Sequence, residues 1–149
     1  MGGTVSIQIV LGKHVKQSGL YIVTLRNEVP ISVNAHDKRH AHKAITVTCD
    51  NCKFGKAEDL DRRKKNYDRT FGAEHVKFHV VATLTEIKRA ELEILKKLDK
   101  YRIKGKTGRK NEWLEKISPT EVLIIIVETL KCLNVEYVPI VRSLDNSAT

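Results

Sequence analysis

Glu91 falls inside an apolar helical stripe. Leu84, Ile87, Ile94, Leu95, Leu98 and Tyr101 recur at three- and four-residue steps, the spacing that lines one face of a helix. At about 100° per residue, Glu91 lies within about 60° of Ile87, Ile94, Leu95 and Leu98, and Glu93 points roughly 160° away, toward solvent. A carboxylate taken out of water is costly unless it meets a counter-charge or a cation. Two readings follow: an ion pair with a nearby Arg or Lys, or a metal ligand. A second polar intrusion lies upstream. Leu60, Arg63 and Tyr67 share a helical face that Arg62, Lys64 and Lys65 mostly do not. A guanidinium and a phenol one turn apart can converge on one point, and the guanidinium fork matches phosphate oxygens. The plainer reading is a structural Arg63–Glu91 ion pair. Both expect these two residues to be neighbours.

A third group is His36, His40, His42, Cys49 and Cys52, all within 17 residues. Cys49-x-x-Cys52 has the spacing of a zinc knuckle and His36-x-x-x-His40 that of a finger pair. The order and the gap are not those of a zinc finger. A Zn²⁺ here would be structural, held by Cys49, Cys52 and two of the histidines. Alternatively, Cys49 continues a buried strand and the histidines belong to a solvated loop. Redox chemistry is disfavoured, because no thioredoxin-like helix follows Cys49.

The charge balance narrows the partner. The 149 residues carry 27 Lys and Arg against 18 Asp and Glu, a net charge of +9. The span Lys53–Lys110 holds 18 basic and 9 acidic residues, so it carries the whole excess. A localised positive field suits a polyanion, because neutralising phosphates releases counterions. A lysine-solubilised surface is the alternative. Three cysteines, an odd number, suggest no disulfide framework and a reducing compartment. The longest apolar run, Val122 to Val127, is six residues, far short of a membrane span. These features predict a cytoplasmic chain, or a nuclear one in a eukaryotic host, with no membrane partner.

The elements that must position these residues read as one small α/β domain over 1–149. Val5–Ile9 alternates like a strand, Gly19–Leu25 is a β-rich run, and Ile45–Cys49 alternates again. Arg26–Lys43 is polar and reads as an excursion. Gly55 breaks the chain, and Glu58-Asp59 opens a basic helix that runs to about Asp68. His75–Thr83 is a strand, Leu84–Tyr101 a periodic helix, and Lys104–Lys110 a basic loop. Ser118-Pro119-Thr120-Glu121 forms a capping box opening a helix through about Leu133. Val135–Val141 is a last strand, with Pro139 placing it at an edge. A tail follows at 143–149.

Taken in order, these motifs resemble the GIY-YIG nuclease family. Gly19-Leu20-Tyr21 is similar to the first motif, with Leu20 for Ile. Lys53-Phe54-Gly55 stands for the second, with 31 residues between Tyr21 and Lys53. Arg63 follows Gly55 by eight positions, then Tyr67 and the helical Glu91. Asn111-Glu112-Trp113-Leu114 is similar to a Glu-Trp-Phe element of one virus- and phage-rich branch, where Lys-aliphatic-Gly is the usual second motif. The resemblance spans about 18–130, with 26–43 as an insertion between the first two motif strands. It implies a mostly antiparallel sheet flanked by helices, an α+β arrangement. It implies metal-dependent endonuclease activity on phosphodiester bonds, in DNA rather than RNA. Glu91 would hold Mg²⁺ or Mn²⁺, and Arg63 would bind the scissile phosphate. Tyr21 would position or deprotonate water, Lys53 would assist, Tyr67 would relay a proton, and Asn111 would orient the site. Lys56, Lys64, Lys65, Lys104, Lys106, Arg109 and Lys110 would track the backbone. The alternative is a nucleic-acid-binding module on the same fold without catalysis, and Lys53 in place of Tyr is the feature that favours it.

Overall fold

The run Gly19–Leu25 (β1) is buried at all seven positions. Its apolar and β-branched side chains suit a strand covered on both faces. The computed structural model describes residues 16–39, 45–105 and 108–140. The remaining elements are β2 (Ile31–Ser32), β3 (Thr46–Val47), β4 (Cys52–Ala57), α1 (Leu60–Phe71), β5 (Val76–Thr83) and α2 (Ile87–Leu98). After α2 come a 3₁₀ turn at Asp99–Tyr101, β6 (Arg102–Lys104), β7 (Lys110–Leu114), α3 (Pro119–Leu133) and β8 (Val138–Pro139). The main sheet has six strands in the order β6-β7-β4-β1-β5-β8, every neighbour antiparallel, and β2 and β3 pair separately. The expected α+β sheet flanked by helices is therefore the observed architecture.

Side-chain alternation along β1 splits the interior into two layers. Leu20 and Ile22 join Phe54 and the inward sides of α2 and α3. Tyr21, Val23 and Leu25 join α1 through Leu60, Tyr67 and Phe71. Arg63 and Tyr67 thus approach the sheet from one side and Glu91 from the other. Side chains cap α1 and α3. Asp59 caps α1 by accepting from the Arg62 amide, so the acid expected at this helix start is its N-cap. The Ser118–Glu121 capping box of α3 forms both of its bonds, with Pro119 in the first turn. Asn134 closes α3 in the left-handed region.

Several boundaries differ from the sequence reading. β4 runs straight through Gly55, where a chain break was expected. Lys104 and Lys110, the ends of the expected basic loop, pair across β6 and β7. α1 continues to Phe71, and the periodic helix starts at Ile87, not Leu84, and tightens into the 3₁₀ turn after Leu98. The Ile45–Cys49 strand shrinks to β3, which pairs with β2 inside the 26–43 excursion. The buried Asn27 amide ties that excursion down by donating to Val29 O and Val47 O. The last strand is β8, at the sheet edge as Pro139 requires. Val5–Ile9, the tail at 143–149, His40, His42 and Lys106 lie outside the described residues.

His79 on β5 gives the fold a pH dependence. Its Nε2 shares a hydrogen bond with Thr24 Oγ1 at 2.9 Å. Burial, with Lys77 and Arg26 nearby, lowers its pKa from 6.5 to about 4. The unfolded chain therefore takes up this proton at a higher pH than the folded one. The stability is present in full above pH 6.5 and is lost as pH falls toward 4. Between pH 7 and pH 5 the melting temperature of the wild type should fall more than that of His79→Gln.

Candidate active site

Tyr21 is fully buried. Its hydroxyl lies 2.8 Å from that of Tyr67 and accepts from Arg63 Nη1 at 3.2 Å. Arg63 Nη1 also donates to the Lys56 carbonyl at 3.3 Å. One guanidinium and two phenols, from a strand and a helix, thus meet at one point. Phe78 stacks on Tyr21 at a centroid distance of 4.6 Å and closes the far side. Burial and the adjacent Tyr67 push the Tyr21 phenol well above the ordinary tyrosine range, opposed by the Lys53 and Arg63 charges. Burial likewise pushes Tyr67 up to about 12. Both phenols are neutral hydrogen-bonding groups at neutral pH.

The register explains the glycine of the second motif. Tyr21 pairs with Gly55 across β1 and β4. A Cβ at Gly55 would come within 2.4 Å of the Tyr21 hydroxyl and 2.5 Å of its ring. The missing side chain is the space the phenol occupies. Gly55→Ala should destabilise the protein by about 1–3 kcal/mol through overpacking and push Tyr21 off Arg63. Chemical denaturation and the tyrosine absorbance of the folded state would detect the two effects separately.

Glu91 is half-buried on α2, and its partner is Lys56 of β4, at 3.3 Å. The expected direct pair with Arg63 is replaced by a chain through Lys56, whose ammonium meets Glu91 while its carbonyl accepts from Arg63. The physical reason is the layering: Glu91 and Arg63 come from opposite faces of the sheet, and Lys56 sits near the end of β4 between them. A cleft of about 380 Å³ opens at this end, lined by Lys56, Glu58, Asp59, Arg63, Ile87 and Lys88 among others, with Glu91 behind Lys56 rather than in its wall. A hard divalent cation fits Glu91. Mg²⁺ needs only one or two protein carboxylates when water and phosphate complete its shell. Among the described residues no cluster of three or more His, Cys, Asp or Glu forms a closed metal site.

Lys53 leaves β4 on the opposite side from Lys56. Its ammonium lies 5.1 Å from the Tyr67 ring centroid and 3.1 Å from Glu112 of β7. A second cleft, of about 610 Å³, runs past Lys53, Tyr67, Asn111 and Glu112 beneath the β2–β3 excursion. Asn111 Oδ1 accepts from the Trp113 amide at 3.0 Å, so its carboxamide is committed to the shape of β7. Sequence reasoning missed Glu112 as a member of the site. Its signal was present in the Asn111–Leu114 element, but only the cross-strand pairing of Lys53 with Trp113 brings it to Lys53.

The expected backbone-tracking cations divide by position. Lys65, Lys104 and Arg109 are exposed. Lys64 pairs with Asp68 one turn on, and Lys110 bonds Asp99. Lys56 turns inward to Glu91. Of the zinc candidates, the three among the described residues, His36, Cys49 and Cys52, do not form one cluster. Cys49 is exposed, and Cys52 is buried in the core, its thiol facing the Ile117 carbonyl. Burial pushes that thiol up to about 12. His36 meets Thr70 of α1.

The sequence profile of the T5orf172 domain matches residues 30–131. The chain belongs to the T5orf172 domain family. This is a nuclease-like family of the GIY-YIG-like superfamily, which fits the order and spacing of Lys53-Phe54-Gly55, Arg63, Tyr67 and Glu91. No curated protein and no solved structure matches the chain. The T5orf172 match begins after β1, yet β1 is the central strand beside β4 and supplies Tyr21. Among the described residues of this T5orf172 protein, no helix is long and apolar enough to cross a membrane.

Proposed function

We propose that this T5orf172 protein is a metal-dependent endonuclease of the GIY-YIG type that hydrolyses phosphodiester bonds in DNA. The observation that carries the reading is the meeting of Arg63 with the Tyr21 and Tyr67 hydroxyls, linked through Lys56 to the half-buried Glu91. A structural arginine needs no pair of buried phenols, and a partly exposed ion pair such as Lys56–Glu91 adds no more than about 1 kcal/mol to the fold.

Glu91 would hold the cation, with Lys56 released toward the substrate backbone. The cation, Mg²⁺ or Mn²⁺, supplies charge to stabilise the leaving oxygen. Arg63 donates to a non-bridging oxygen of the scissile phosphate and stabilises the charge that builds on it. The Tyr21 hydroxyl, buried against Tyr67 and Arg63 in this structure, would orient the attacking water once substrate binding opens a way to it. As the water oxygen bonds to phosphorus, the water proton passes to Tyr21; the P–O ester bond breaks and the leaving oxygen takes up a proton from solvent. The Tyr21 proton moves to Tyr67, and the Tyr67 proton moves to solvent in the larger cleft. Neither phenol needs to ionise in the resting protein, which agrees with the upward pull of burial on both.

Incubating supercoiled plasmid with the protein and Mg²⁺, Mn²⁺ or EDTA tests the reading. Nicking with either metal and none with EDTA is expected. Binding of DNA that falls with salt, without nicking under any metal, would favour the non-catalytic module.

A further inference from the structure

We propose that Glu112 is a positioning residue whose carboxylate anchors the Lys53 ammonium over the Tyr67 ring, so that a fixed positive charge faces the Tyr21–Tyr67 phenols. The inference rests on the nuclease reading for its kinetic consequence and on geometry alone for the anchoring.

The pair is oriented. The Lys53 side chain is 15% exposed and the Glu112 side chain 63% exposed, so the cation points inward and the carboxylate outward. Two strands set this polarity. Lys53 projects from β4 on the Tyr21 side of the sheet, and Glu112 reaches it from β7, whose Trp113 is the register partner of Lys53. Partial burial alone would raise the Glu112 carboxyl, but the Lys53 ammonium outweighs it and holds the group below the usual carboxylate range. The ammonium also opposes the burial that holds Tyr21 neutral, and its place over the Tyr67 face is a favourable cation–π position. A lysine side chain has four rotatable carbons and a strongly hydrated head. Beside an open cleft of about 610 Å³, it needs an anchor to stay against a ring. Glu112 supplies that anchor, and the Lys53–Glu112 pair occupies the place of the tyrosine usual in the second motif.

Glu112→Gln tests this, since it keeps size and removes only charge at a largely exposed side chain. In the wild type, NMR should resolve the two ε-methylene protons of Lys53 as separate signals, assigned by their loss in Lys53→Met. In Glu112→Gln they should merge, with the melting temperature little changed. Separate signals in Glu112→Gln overturn the anchoring. In metal-dependent cleavage, Glu112→Gln should lower kcat about tenfold in the wild-type background and have no further effect in Lys53→Met. An equal loss in both backgrounds would mean that Glu112 acts without Lys53, and it overturns the proposal. If the wild type does not cleave, the nuclease reading and the kinetic role fall together, and the NMR comparison still decides the anchoring.

Discussion

Glu91→Ala is expected to abolish metal-dependent cleavage, by at least about a thousandfold, the equivalent of roughly 4 kcal/mol in the barrier. DNA affinity should hold or rise slightly. The opposite outcomes follow from one contact. Glu91 is bound to Lys56 at 3.3 Å, and a half-exposed ion pair of this kind contributes no more than about 1 kcal/mol to the fold. Truncating it costs little stability. It removes the carboxylate assigned to the cation, leaves Glu58 and Asp59 of the neighbouring cleft in place, and frees Lys56 to meet phosphate. Cleavage and binding measured on the same preparation separate the two effects. Loss of binding in parallel with cleavage would point to a structural role for Glu91.

The second large effect is expected at Arg63. Arg63→Lys keeps the charge but not the fork. Arg63 Nη1 already donates to Tyr21 and to the Lys56 carbonyl, which holds the guanidinium plane in the wall of the smaller cleft. A lysine ammonium has no fixed plane to aim. Cleavage should fall about 10²–10³-fold, the range for losing one preorganised donor to a developing oxyanion. The loss should appear in kcat with KM nearly unchanged, the mark of an interaction made in the transition state. The Tyr21–Tyr67 bond survives the substitution, so the fold should too. A change confined to KM would reassign Arg63 to ground-state backbone binding.

How much of this could be read from the chain depends on what each residue faces. β1 was legible to its ends because an unbroken apolar, β-branched run has no other use. The Ser118 capping box marked the start of α3 because its side chains act locally. Helical periodicity put Arg63 and Tyr67 on one face and Glu91 in the apolar stripe, and the structure keeps all three at least half-buried. β4 was hidden because its two lysines, three residues apart, turn to opposite faces, Lys53 to Tyr67 and Lys56 to Glu91. Such a strand looks polar in sequence although both lysines are held. The β6–β7 hairpin was hidden by the basic residues around its turn. The Lys56–Glu91 and Lys53–Glu112 pairs both depend on strand register. Register is fixed across the sheet, and nothing local to either residue encodes it.

The central claim is that a cation at Glu91 and the guanidinium of Arg63 serve the same phosphate. Titrating Mn²⁺ into the isotope-labelled protein and recording which backbone amide signals broaden first tests it most directly. Broadening should centre on Lys56 and Glu91, reach Arg63, and disappear in Glu91→Gln. Broadening that centres on Asp99 or on Glu58–Asp61, and persists in Glu91→Gln, would contradict it.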